Sequence, residues 1–297
     1  MRFSLLVLLI GIIAIDAKVT QQFRSFMGQT GGFGSPAFPD IYPNEFQDTA
    51  VIQLGDSFAN YVIHIEFLVF QLENGYDTVD IFDGNSTESA LNIGKLTGNM
   101  TGRTYQSDGP TLTILFKTDL TGQRDGFYVR WNAVKKGDSY SSPKTCDHLL
   151  IMETTGYGLI YSPGYVGNYP DSITCNWTLE AGIGQKVLLI FYSYETEDCY
   201  DVLTFYDGTA INANKRPKGM CGDIVNPTTE AAFVLSAGTK FSLTFTSDLT
   251  KNYAGFSAVF RYVSASETIS SDFNRMDWTP SEVKRHPKDI NPSKIPK

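Results

Sequence analysis

A chain of 297 residues is long enough for two domains of ordinary size. Its formal net charge of −8 sets 32 acidic side chains against 24 basic ones. That sign argues against nucleic acid as a partner and suits a cation or a basic protein surface.

The chain opens with MRFSLLVLLIGIIAIDA, one positive charge at Arg2, an apolar run from Phe3 to Ile15, then small Ala17 before a polar stretch. This is the layout of a secretory signal peptide over residues 1–17. The run falls short of the roughly 20 apolar residues that span a bilayer. The expected protein is therefore secreted and extracellular, with no membrane span. Three N-x-[ST] sites, at Asn85, Asn99 and Asn176, are expected glycosylation acceptors in that setting.

Beyond the leader, strand signals dominate. YVIHIEFLVF and TLTILFKT in the first half, and KVLLIFYSY, AAFVLSA and KFSLTFTS in the second, are rich in β-branched and aromatic residues with rough two-residue alternation. Turn signals at Asp83-Gly84, Asp108-Gly109-Pro110 and Asp207-Gly208 separate them. No segment carries a long helical period. Many short strands at regular spacing predict an all-β fold of two-sheet sandwiches.

The chain matches itself at a shift of about 127 residues. SPAFPDIYP (35–43) lies over SPGYVGNYP (162–170), and GYDTVDIFDG (75–84) over CYDVLTFYDG (199–208). LFKTDLTGQRDGFYVRW (115–131) lies over LTFTSDLTKNYAGFSAVF (243–260). Three blocks in one order mean two copies of one domain, residues 24–134 and 146–263. Residues 135–145 form a linker, and residues 264–297 a polar, Pro-containing tail expected to be disordered.

All four cysteines, Cys146, Cys175, Cys199 and Cys221, fall in the second copy. An even count in a secreted chain implies disulfides, and four cysteines allow three pairings. In the first copy Asp48 stands over Cys175, Gly75 over Cys199 and Thr97 over Cys221.

Catalytic motifs are not evident, and the chain is expected not to be an enzyme. Gly55-Asp56-Ser57 and Gly137-Asp138-Ser139 read as turns, and none of the three histidines, His64, His148 and His286, has a catalytic motif around it. The acids are more informative. Glu73 precedes Asp77 by four residues, and Glu197 precedes Asp201 by the same four. Asp119 and Asp248 each stand seven residues before a Gly-Phe pair. The cysteines differ between the copies while these acids persist, so the acids serve something beyond scaffolding. Three carboxylates on neighbouring loops repel one another unless neutralised. Ca²⁺, with six to eight oxygen ligands, suits such a set; Mg²⁺ prefers water, and Zn²⁺ prefers His or Cys. Asp83 and Asp207 are assigned to Asp-Gly turns instead.

The order SP-x5-YP, an aromatic-rich strand, C-x-D-x-L-x-x-Y-D-G and S-D-x6-G-F resembles the CUB domain over both copies, more strongly in the second. The resemblance implies two tandem jelly-roll-type β-sandwiches and the pairings Cys146–Cys175 and Cys199–Cys221. It implies Ca²⁺ held by Glu73, Asp77 and Asp119 in the first copy and by Glu197, Asp201 and Asp248 in the second. Tyr42 and Tyr169 are then expected to hydrogen-bond the glutamates. The loop between the Glu and the first Asp is shorter than in the family pattern, and Glu195 is the alternate ligand in the second copy. The implied role is calcium-dependent binding of extracellular proteins through their exposed Lys or Arg side chains. The alternative is a calcium-independent carbohydrate-binding or cell-surface coat protein of the same fold.

Overall fold

The computed structural model describes residues 19–146, 150–152, 157–207, 218–222 and 232–266. The expected leader 1–17, the expected tail beyond Ser266, His148, His286 and Gly208 lie outside them. The first half contains β1 (Thr20–Met27), β2 (Thr30–Gly34), β3 (Phe46–Gln53), β4 (Tyr61–Gln71), β5 (Thr78–Asp83), β6 (Asn92–Leu96), β7 (Thr104–Gln106), β8 (Thr111–Lys117) and β9 (Gly126–Lys135). The second contains β10 (Leu150–Met152), β11 (Tyr157–Tyr161), β12 (Thr174–Glu180), β13 (Gln185–Glu195), β14 (Val202–Asp207), β15 (Lys218–Met220), β16 (Ala232–Leu235), β17 (Lys240–Thr246) and β18 (Gly255–Ser264).

Each half is a sandwich of two sheets. Order β1-β3-β8-β5-β6 faces β2-β9-β4-β7 in the first, and β12-β17-β14-β15 faces β10-β11-β18-β13-β16 in the second. Pairing is antiparallel except for β1 on β3. The alternation read from the sequence does its work in β12 and β17. Cys175, Trp177 and Leu179 point inward from one, Phe241, Leu243 and Phe245 from the other, and the register sets Trp177 against Leu243. Edge-on aromatic pairs fill both cores, Phe116 on Phe127 at 5.4 Å and Phe245 on Phe256 at 5.5 Å.

Strands β4, β9, β13 and β18 are buried over most of their length rather than alternately. One face of each lines its own core. The other faces the neighbouring sandwich, so that Phe38, Leu68, Val69 and Tyr128 join the core cluster of the second half. At the centre of this interface the buried Arg130 guanidinium pairs with Glu66, directly opposite on β4. Arg130 also donates to the Tyr165 carbonyl (2.9 Å) and lies over the Tyr161 ring (4.8 Å), both in the second sandwich. The Ser257 hydroxyl returns a bond to the Leu68 carbonyl (2.7 Å). The linker is strapped onto this centre: Ser142 donates to Glu66 (2.5 Å), and Tyr140 stacks near His64 (4.4 Å).

The second sandwich carries two disulfides, Cys146–Cys175 and Cys199–Cys221. Non-covalent pairs stand at their places in the first. Asp48, over Cys175, is 1 % exposed and is clamped by the Arg24 guanidinium through two of its nitrogens. Gly75, over Cys199, donates its N–H to the Thr97 hydroxyl (2.7 Å), which stands over Cys221. Reduction is therefore expected to act on one half. Each opened bridge should cost the second sandwich about 2–4 kcal/mol. Hydrogen exchange in dithiothreitol should show protection falling in β12 and β14 and holding in β3 and β8.

Candidate metal centre

Two loops at one end of each sandwich bring the predicted acids together. Glu73 and Asp77 lie between β4 and β5, and Asp119 follows β8. Glu197 and Asp201 lie between β13 and β14, and Asp248 follows β17. In each set the three carboxylates offer oxygens within 4.8 Å of one another. The four-residue spacing is what closes the loop, because the Asp77 N–H donates to the Glu73 carbonyl at 3.3 Å and the Asp201 N–H to the Glu197 carbonyl at 3.4 Å.

The first Asp of each set is the hub. Buried Asp77 accepts the Tyr42 hydroxyl on Oδ2 (2.5 Å) and the Asp119 N–H on Oδ1 (2.9 Å). Asp201 accepts the Tyr169 hydroxyl (2.6 Å) and the Asp248 N–H (2.7 Å) in the same way. Each phenol also accepts the backbone N–H of the glutamate, Glu73 or Glu197, at 3.0 Å. The tyrosines thus hydrogen-bond the glutamates as expected, but by the backbone N–H, and their carboxylate partner is the Asp. The reason is reach. The ring is set edge-on into the core, Tyr42 on Phe116 at 5.2 Å and Tyr169 on Phe245 at 5.1 Å, which brings the hydroxyl to the root of the loop.

The repeated sequence blocks are the supports of this end. Thr118 donates to the Pro43 carbonyl (2.9 Å), and Ser247 to the Pro170 carbonyl (2.8 Å), joining the Tyr-Pro block to the strand end before the late Asp. Ser35 accepts the Phe127 N–H and Ser162 the Phe256 N–H, both at 3.1 Å. The glycine before each of those phenylalanines has positive φ, and a Cβ there would collide with the serine hydroxyl.

The glutamates are left incomplete. Glu73 Oε2 and Glu197 Oε2 are buried and make no hydrogen bond. A buried carboxylate oxygen without a donor loses hydration with nothing in exchange. Burial raises the Asp201 pKa, and the charges of Asp248 and Glu197 add to that rise against the opposing bonds from Tyr169 and the Asp248 N–H. Burial and the neighbouring Asp raise both tyrosine pKa values, keeping the phenols protonated as donors. This donor set consists of carboxylate oxygens alone, which fits a hard cation and disfavours zinc. A third group, Asp198 with Cys199 and Cys221, offers no thiolate because the two cysteines are bonded to each other.

Glu195 ends β13 exposed and takes no part in the cluster. Asp83 ends β5 and accepts the Asp108 N–H (3.0 Å). Ser57 lies in a single 3-10 turn, Asp56–Phe58, and Gly137-Asp138 forms another turn. Asn85 and Asn176 are exposed and Asn99 half-buried. Sequence reasoning missed Lys251, whose Nζ lies 3.2 Å from Glu197 Oε1. The available signal was its place over Gly122 when the two copies are aligned.

Fold and site together define a tandem of antiparallel sandwiches, each with a loop-borne carboxylate centre braced by a tyrosine. The model of the CUB domain matches residues 22–131 and 146–260, and the chain belongs to the CUB domain family. It is similar to human cubilin, 27% identical over 252 residues, covering 83% of this chain and 6% of cubilin. It is also similar to rat neuropilin-2, 28% identical over 290 residues, covering 86% of this chain and 30% of that protein. The chain thus spans less than a third of the length of either relative. Among solved structures, the MASP-1 CUB2 domain bound to Ca²⁺ matches 37% of this chain and 96% of its own length, with 22% identity and a TM-score of 0.32. No helix among the described residues is long and apolar enough to cross a membrane.

Proposed function

We propose that this chain is a secreted, calcium-dependent recognition protein that binds extracellular proteins through their exposed Lys or Arg side chains. Glu73, Asp77 and Asp119 would hold one Ca²⁺, and Glu197, Asp201 and Asp248 a second. The observation that carries the reading is the buried, unpartnered glutamate oxygen in each cluster, beside two further carboxylates. A bound Ca²⁺ supplies the positive charge that lets three ionised carboxylates share one loop end. The chain's own part is to aim them. The phenols and the Asp-to-backbone bonds fix the loops, so a partner ammonium or guanidinium meets oriented oxygens at little entropic cost. Exposed Tyr76 and Leu120 beside the first cluster, and exposed Leu249 beside the second, offer apolar surface to the aliphatic stem of a lysine or arginine. The leader and the three acceptor asparagines support the extracellular setting, and the reading assigns the chain binding rather than catalysis.

Calorimetric titration of the intact chain with CaCl₂ tests this. Two bound ions are expected, with Asp119→Ala and Asp248→Ala each removing one. A titration without heat, or one that neither substitution alters, would sink the calcium reading. Recognition would then have to rest on the apolar surface beside the clusters.

A further inference from the structure

The two centres differ at one position. Matching loops run Asp119-Leu120-Thr121-Gly122 and Asp248-Leu249-Thr250-Lys251. In the first, Gly122 has φ +83, and a side chain there would collide with the Glu73 carboxylate. In the second, Lys251 takes the left-handed conformation, φ 61, that residues other than glycine adopt at a cost. Its side chain reaches over the loop to place Nζ 3.2 Å from Glu197 Oε1. Glu197 is 6% exposed, and its other oxygen is buried without a donor. Among the described residues, the first centre has no such cover. Its nearby cation, Arg124, donates instead to the Gly122 carbonyl (3.0 Å) and the Gln123 carbonyl (2.9 Å).

We propose that Lys251 is a tethered competitor at the second centre, where its ammonium holds Glu197 until an incoming cation displaces it. The inference rests on the calcium reading of the two centres and adds an asymmetry to it. The first domain is the stronger Ca²⁺ site and the open face for a partner's lysine. The second fills only at higher calcium, when Lys251 gives up the carboxylate. The lysine side chain is about 70% exposed in the ion pair, so the latch is solvated and displaceable rather than locked. A divalent ion at the Glu197 carboxylate and the solvated Lys251 ammonium repel through water by about tenfold in binding constant. Salt screens that repulsion.

The test uses the full chain carrying Asp119→Ala, which leaves the second centre to be read alone by calorimetry with CaCl₂. Adding Lys251→Gln is expected to tighten Ca²⁺ binding about tenfold at low ionic strength, with the gain shrinking as NaCl is raised. Lys251→Arg keeps the charge and is expected to keep the weak binding, which separates charge from loop shape. Equal affinity with lysine and glutamine, or a gain that ignores salt, overturns the proposal. So does an intact chain whose only Ca²⁺ is lost with Asp119→Ala and not regained with Lys251→Gln. No binding to the intact chain would instead overturn the calcium reading beneath it.

Discussion

Replacing Arg130 by alanine is expected to lower stability by about 3–5 kcal/mol, the cost of leaving a buried charge without its partner. The stranded group is Glu66, 1% exposed, on a strand face covered by the second sandwich. Ser142 and Tyr140 remain as its donors, and two neutral hydroxyls do not replace a guanidinium. The substitution also removes the bond to the Tyr165 carbonyl and the contact over the Tyr161 ring, which join the two halves. A second signature is therefore expected. Calorimetric unfolding should pass from one transition in the parent to two in the variant, as each sandwich melts by itself. Replacing both partners, Glu66→Leu with Arg130→Met, should recover most of the lost stability, since a buried ion pair exchanged for packed apolar side chains is often neutral. Urea denaturation measures all three chains. A loss below about 1 kcal/mol for Arg130→Ala would mean that water reaches the pair in solution.

The sandwiches were legible because alternation in β12 and β17 and the repeated blocks are local signals, each readable within one segment. The interface was not legible, although its residues stood in plain view. YVIHIEFLVF reads as a strand with only rough alternation, and nothing in it names what covers its second face. The same limit applies to the missing cysteines. Alignment of the copies put Asp48 over Cys175, but its partner Arg24 belongs to an edge strand that pairs with β3 in parallel, a contact no spacing predicts. At the candidate centre the acids could be found by comparing copies, and the four-residue spacing that looked too short closes a hydrogen-bonded turn. Which carboxylate each tyrosine meets depended on the depth to which the ring is driven into the core, and that is a packing fact.

Changing Asp201 to asparagine is expected to separate the two duties of that residue. As a scaffold it accepts the Tyr169 hydroxyl and the Asp248 N–H. Asparagine keeps a carbonyl oxygen for the N–H and an amide that can face the phenol oxygen. As an anion Asp201 is strained: its pKa is raised by burial and by Asp248 and Glu197. The sign follows from linkage. A carboxyl whose folded pKa lies above its unfolded value favours the fold when protonated, and that advantage is lost as pH rises through the folded pKa. At neutral pH the ionised group therefore opposes folding in the absence of a cation. Without calcium, Asp201→Asn should melt at or above the parent temperature. With calcium the order reverses. Ligand at about 100 times its Kd stabilises a folded protein by about 2.7 kcal/mol, and the second centre of the variant should forgo that gain. Substitutions behind a metal ligand cost about 10- to 100-fold in affinity, so loss of the ligand itself should cost at least about 100-fold. Tyr169→Phe, which frees the loop but spares the charges, should fall between the two. Melting curves in EDTA and in CaCl₂, in the Asp119→Ala background, read both effects. A variant that melts well below the parent in EDTA would show Asp201 to be a structural acceptor first. A variant still stabilised by calcium as the parent is would remove Asp201 from the second centre.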